Sequence, residues 1–243
     1  MHSIDAFDGP SAEATTALQA LRSAAHAGDI GAQALFAQLL SEGRGVSHDD
    51  VEALHWFALA ANSGHALAMN MLGRCHELGR GTPVNHELAA AWYCSAAEQG
   101  LDWGMYNLAQ LLAAGRGVRA DRARAFALYR RAADLGHAKS MNMVGRHFEE
   151  GWDVAADMAV AVDWYRRAAL GGDFRGQASY ASILALRGDV DSAADWLRRA
   201  AKTATPAFLR RLAEDLARST HAELRLVAIE LQQRPGMTDP SIA

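Results

Sequence analysis

The chain has 243 residues, half of them hydrophobic and 21% charged, with a net charge of -4, a makeup that excludes a disordered tail and a polycation built for nucleic acid. Its two cysteines, Cys75 and Cys94, exclude a disulfide framework, and no run of 18 uncharged apolar residues offers a membrane span. The opening Met1-His2-Ser3-Ile4-Asp5-Ala6-Phe7-Asp8 has neither the basic start nor the apolar run of a secretory leader, so the expected compartment is the cytoplasm.

Residues 1 to 10, with Gly9-Pro10, read as a frayed tail. Residues 11 to 27 read as a lone leading helix, because Ala17, Leu21 and Ala24-Ala25 repeat the pattern of the second helices described next. From residue 28 to 202 a block recurs five times, marked by Gly28, Gly64, Gly100, Gly136 and Gly172 in equal steps of 36. A period of that size signals a stack of supersecondary units. Gly43, Gly79, Gly115 and Gly151 stand where a first helix ends in a left-handed residue, and Gly45, Gly81, Gly117 and the exception Asp153 follow two residues later. Asp49, Asn85, Asp121, Asp157 and Asp189 then stand at the N-cap of a second helix.

Each second helix carries a large apolar residue, Trp56, Trp92, Leu128, Trp164 or Trp196, followed by an Ala-Ala pair four and five residues on. Helical spacing predicts one buried stripe. In the first helices Phe36, Leu72, Leu108, Val144 and Tyr180 are each followed by Ala or Gly, which lets the paired helix approach closely. The fifth block replaces the longer turn with Arg187-Gly188-Asp189-Val190. Beyond Pro206, Ala207 to Ser219 and Ala222 to Gln233 are amphipathic and lack the repeat signature, so 203 to 234 is expected to be a closing helical pair and 235 to 243 a flexible tail.

The unit G-x-x-x-A-x-x-x-LG-x-x-x-x-x-G-x-GV-x-x-D-x-x-x-A-x-x-W-x-x-x-AA, best seen in Gly64 to Ala97, resembles the Sel-1-like repeat family, a branch of the tetratricopeptide-like solenoids. The resemblance implies an all-α, right-handed superhelical solenoid of about five repeats with helical caps. It also implies a non-enzymatic adaptor or scaffold that binds a protein partner or peptide tail, with no cofactor, no nucleic acid and no membrane, as a bacterial monomer.

The family geometry places the first helices on the concave face, with the third, sixth and tenth residues after each block glycine pointing into the groove. On that basis Trp103 and Tyr106 are the expected apolar anchors and Asn70, Arg74, Gln110, Asn142 and Arg146 the polar clamps. Blocks two and four share Gly-His-Ala-x-x-Met-Asn-Met-x-Gly-Arg, Gly64 to Arg74 and Gly136 to Arg146. An Asn and an Arg four apart share a helix face, and they suit a peptide backbone and a carboxylate. Duplication with no retained purpose accounts for the same pattern, and local packing accounts equally for Trp103 and Trp152.

Residues 1 to 100 carry a net charge of -7 and residues 101 to 243 a net charge of +3. Arg130-Arg131, Arg166-Arg167 and Arg198-Arg199 recur in register on second helices, either as solvated surface or as a ridge for an acidic partner. The ten histidines show no zinc-site spacing. His65 and His137 are expected to serve helix starts, and Cys75 to be a packed thiol. No nucleophile elbow or phosphate loop occurs. An anionic metabolite in the groove is the alternative function.

Overall fold

The computed structural model describes residues 12–234, and among these it holds 13 α-helices and no strand. They are α1 (Ala12–His26), α2 (Ile30–Glu42), α3 (Asp50–Asn62), α4 (Ala66–Leu78), α5 (His86–Glu98), α6 (Asp102–Ala114), α7 (Arg122–Asp134), α8 (Ala138–Glu150), α9 (Met158–Leu170), α10 (Phe174–Leu186), α11 (Val190–Ala200), α12 (Pro206–Ala217) and α13 (Ala222–Gln232). The tails at 1 to 10 and 235 to 243 lie outside the described residues. The leading helix is α1, the five blocks supply α2 to α11, and the closing pair is α12 and α13. The chain forms two compact units, one ending at Asp121 and one starting at Arg122, so the third block gives α6 to unit 1 and α7 to unit 2.

Caps set the helix lengths, and α2 to α10 all run 13 residues. The carboxylates of Asp49, Asp157 and Asp189 and the amide oxygen of Asn85 accept backbone N–H groups at the starts of the second helices. His65 and His137 cap first helices, accepting the N–H groups of Ala68 and Ser140 through Nδ1 at 3.2 Å each.

The turns fix the spacing of neighbouring blocks. At Gly81, with φ +69°, an added Cβ would lie 2.2 Å from the carbonyl oxygen of Asp50, and at Gly117 it would lie 2.2 Å from the carbonyl carbon of His86. Only glycine lets each turn close onto the start of the preceding block's second helix. Asp153 takes the same left-handed conformation, φ 58°, without being glycine.

Packing alternates. Within each unit, first helices lie against the second helix of their own block, as in α2/α3, α4/α5, α8/α9 and α10/α11, and against the second helix before them, as in α1/α2, α3/α4, α5/α6 and α9/α10. The Ala-Ala pairs are at most 5% exposed, but the predicted tryptophan stripe is displaced by one residue. Trp56 and Trp164 are buried, whereas Trp92, Leu128 and Trp196 are half-buried. The deepest large residues are the ones that follow, Phe57, Tyr93, Tyr129, Tyr165 and Leu197, none more than 3% exposed. The reason is the helical period: these residues line up with the buried alanines four before and three and four after, and the tryptophan flanks that line.

In blocks two and four the tyrosine sits on a glycine. A Cβ on Gly73 would come within 2.7 Å of the Tyr93 ring, and one on Gly145 within 2.8 Å of the Tyr165 ring. The Tyr93 hydroxyl donates to Glu77 at 2.7 Å and the Tyr165 hydroxyl to Glu149 at 2.5 Å. Burial, followed by these carboxylates, pushes both phenols up, so they stay protonated donors.

Candidate protein-binding face

The third position after each block glycine is accessible. In unit 1 it holds Leu67, 45% exposed, and Trp103, 39% exposed. In unit 2 it holds Lys139, half-buried, and Arg175, exposed. The tenth position is also open, with Arg74 and Arg146 exposed and Gln110 half-buried.

The sixth position differs from expectation. Asn70 and Asn142 are each only 4% exposed, and they point into the seam between adjacent first helices. Asn107 donates through Nδ2 to the Asn70 Oδ1 at 2.8 Å, and the Ser179 hydroxyl donates to the Asn142 Oδ1 at 3.3 Å. The sixth residue of one block thus meets the seventh of the next, so these amides tie helices together where exposed clamps were expected. Tyr106, at the same position, is half-buried and stands edge-on to Trp103 with ring centroids 6.4 Å apart. Trp103 is the single tryptophan of the six in the exposed range.

Unit 1 therefore brings Trp103, Tyr106 and Gln110 onto one helix, α6, with Arg74 on α4. Arg146 belongs to unit 2, where its guanidinium lies 5.1 Å from the centre of the Trp152 ring. Arg122 lies 5.6 Å from the same ring and the His147 ring 5.6 Å away edge-on, so local packing accounts for Trp152. His147 itself is 5% exposed. Burial chiefly holds its pKa below the ordinary 6.5, and Arg122 and Arg146 act the same way, against the Trp152 carbonyl at 3.0 Å and Asp153.

Five of the six paired second-helix arginines make contacts within unit 2. Arg130 and Arg167 both stack on Trp164, at 4.8 and 4.0 Å, and Arg199 on Trp196 at 4.7 Å. Arg130 pairs with Asp134, Arg166 with Asp163, and Arg198 with Asp195 and Glu230. Met69 and Met141 are buried core filling. Cys75 is buried as well, and burial pushes its thiol to about 11, which leaves it protonated and inert at neutral pH. Among the described residues no three His, Cys, Asp or Glu side chains gather as metal ligands.

The Sel1 repeat matches residues 31–65, 66–101, 104–137, 138–173 and 182–202, which is more than half of the chain. The chain belongs to the Sel1 repeat family. The Sel1 match in the fifth block is short, in line with its tightened turn. Among solved structures, the chain is similar to a protective antigen displaying an SLR fold from uropathogenic Escherichia coli strains, with 28% identity and a TM-score of 0.70 over 90% of this chain. The chain spans 48% of that protein's length. A Sel1 repeat protein from Oxalobacter formigenes is 24% identical, with a TM-score of 0.71 over 88% of this chain and 98% of its own. An immunity protein from Pseudomonas aeruginosa shares the fold at 14% identity and a TM-score of 0.55, over 93% of this chain and 83% of its own. A comparison with curated proteins gives no match. No helix among the described residues is long and apolar enough to cross a membrane.

Proposed function

We propose that this Sel1 repeat chain is a non-enzymatic adaptor of the bacterial cytoplasm, which takes a segment of a protein partner on the first-helix face of unit 1. Sel1 repeats generally serve protein–protein interaction. The observation that carries the reading is Trp103: the other five tryptophans are buried or half-buried, and this one stands at 39% exposure beside Tyr106. A half-exposed aromatic pair is a favoured anchor for an apolar side chain. Arg74 and Gln110 add a guanidinium and an amide for an acidic group and for peptide backbone. Asn70 supports this face from within, while in unit 2 Asn142 does the same for its own first helices and Arg146 is an exposed cation of the same kind. Cys75 and Cys94 are not bridged to each other, which is in keeping with a reducing compartment.

The test is capture of partners by the full chain from a native lysate, with identification by mass spectrometry and affinity measured on the recovered partner. Trp103→Ala is expected to weaken binding by about 2 kcal/mol or more, and Arg74→Ala to weaken it in a salt-sensitive way. Arg131→Glu, on a second helix of unit 2, is expected to leave it unchanged. The reverse pattern would move the interface to the second helices.

A further inference from the structure

The turns from first to second helix read Gly43-Arg44-Gly45, Gly79-Arg80-Gly81 and Gly115-Arg116-Gly117 in the first three blocks, but Gly151-Trp152-Asp153 in the fourth. Position eleven of the first helix departs in the same block: it is Leu39, Cys75, Leu111 or Ile183 elsewhere and His147 here. These departures meet one another. The backbone carbonyl of His147 accepts the N–H groups of Gly151 and Trp152, as the carbonyls of Cys75 and Leu111 do for their own turns. In block four the side chain holds the turn as well. His147 Nδ1 lies 3.0 Å from the Trp152 carbonyl oxygen and 3.5 Å from Asp153 Oδ2, and the imidazole stands edge-on to the indole at 5.6 Å. A carbonyl can only accept, so Nδ1 carries the proton of the neutral ring and Nε2 is bare. Asp153 meanwhile holds φ 58° where the other turns have glycine, a conformation that costs a residue with a Cβ roughly 1 kcal/mol. The far end of the turn is closed by the Asp157 N–H on the Phe148 carbonyl at 2.8 Å.

We infer that this turn is an acid-operated latch: proton uptake by His147 opens residues 151–157 while α9 stays packed on the rest of α8. The second proton has to enter at Nε2, on a residue only 5% exposed, whose ring is tilted over Phe126 at 4.7 Å and lies 6.1 Å from the ring of Tyr129. The charge so formed faces Arg122 from α7 and Arg146 from α8, and both guanidinium groups also lie on Trp152, at 5.6 and 5.1 Å. Asp153, in the turn, is the carboxylate that answers them. Asp157, at the start of α9, is engaged with the N–H groups of Ala159 and Val160. Burial and two cations outweigh one carboxylate, so the closed turn holds the imidazole below its ordinary pKa and the open turn takes up the proton first. The stability of the closed turn is complete above the ordinary value and is lost as the pH falls through the lower closed one. Opening is local because the turn is the exposed part. Asp153 and residues 155 to 157 lie at the surface, whereas Val144 of α8 and Ala161 and Tyr165 of α9 are at most 1% exposed. The open turn takes the indole away from Arg146, so the latch couples that exposed cation to pH.

The test is hydrogen exchange by mass spectrometry on the full chain, corrected for the intrinsic pH dependence of exchange. It compares residues 148–157 with the matching residues 112–121 of block three, whose turn follows Leu111 and contains no histidine. From about pH 7 to about pH 5 the opening of 148–157 is expected to rise at least about threefold, with 112–121 unchanged and the middle of α9 still protected. This arm uses the unaltered chain and depends on the folding of no variant. His147→Leu, which gives block four the side chain block three has at Leu111, is expected to abolish the rise. Asp153→Asn keeps a residue tolerated in the left-handed conformation and removes the opposing carboxylate, so it is expected to enlarge the rise. No rise, or one that His147→Leu leaves intact, would overturn the latch. So would a rise that 112–121 matches or that the middle of α9 joins, since the opening would then be general and not that of one turn.

Discussion

Blocks two and four are built alike inside and turn different chemistry outward. Gly73, Tyr93 and Glu77 in unit 1 repeat as Gly145, Tyr165 and Glu149 in unit 2, with the same close ring-on-glycine contact and the same phenol-to-carboxylate bond. The accessible third positions of the first helices diverge, to Leu67 and Trp103 in unit 1 and to Lys139 and Arg175 in unit 2. The glycine, tyrosine and glutamate of the internal device keep their identity, whereas the accessible third position varies, although the exposed tenth position stays arginine at Arg74 and Arg146. A binding face is therefore to be sought among the positions that break the repeat, as Trp103 does.

If the internal device is shared, damage to it costs the same in both units. Tyr93→Ala and Tyr165→Ala are each expected to lose about 3–5 kcal/mol by denaturant titration, the range for truncating a buried aromatic. Gly73→Ala and Gly145→Ala force a Cβ against a ring and are each expected to lose about 1–3 kcal/mol. A large inequality between the members of either pair would break the comparison. Trp164→Ala belongs with the buried aromatics, whereas Trp103→Ala is expected to cost under about 1 kcal/mol of stability.

Position eleven of the blocks separates the units by pH. It is Cys75 in unit 1, a thiol uncharged throughout the acid range, and His147 in unit 2, buried and held neutral. Because its folded pKa lies below the ordinary 6.5, the unfolded chain takes up the proton first. The stability tied to neutral His147 is complete above that value and is lost as the pH falls from there through the lower folded value. Hydrogen exchange is expected to show amides of α8 opening as the medium is acidified, and His147→Gln to flatten the dependence. His76, half-buried in unit 1 and also lowered by burial, is expected to give a weaker slope of the same sign. The smallest effects belong to the seams: Asn107→Ala and Ser179→Ala each remove one hydrogen bond to a buried amide, at about 1 kcal/mol by the same titration.

Much of this was legible in the order of residues. Five glycines in step, cap residues at fixed offsets and Ala-Ala pairs define the helices, because backbone conformation and close approach leave few alternatives at those positions. The true centre of the stripe was written one residue beyond the tryptophans, in the run Phe57, Tyr93, Tyr129, Tyr165, Leu197, and the period of the buried alanines points to it. The burial of Asn70 and Asn142 was not legible, since it depends on residue six of one block meeting residue seven of the next, a register that only packing sets. Nor was the stacking of Arg130 and Arg167 on Trp164, which turns an apparent basic ridge into a set of local contacts.

The most direct test of the account places a photo-crosslinking amino acid at position 103, at position 139 and at position 131 of the full chain, and irradiates each variant in native extract. A discrete protein adduct at 103, lost when Arg74→Ala is added, with little or none at 131, is the predicted result. Adduct formation at 131 with none at 103 would contradict it and assign the partner to the second-helix surface.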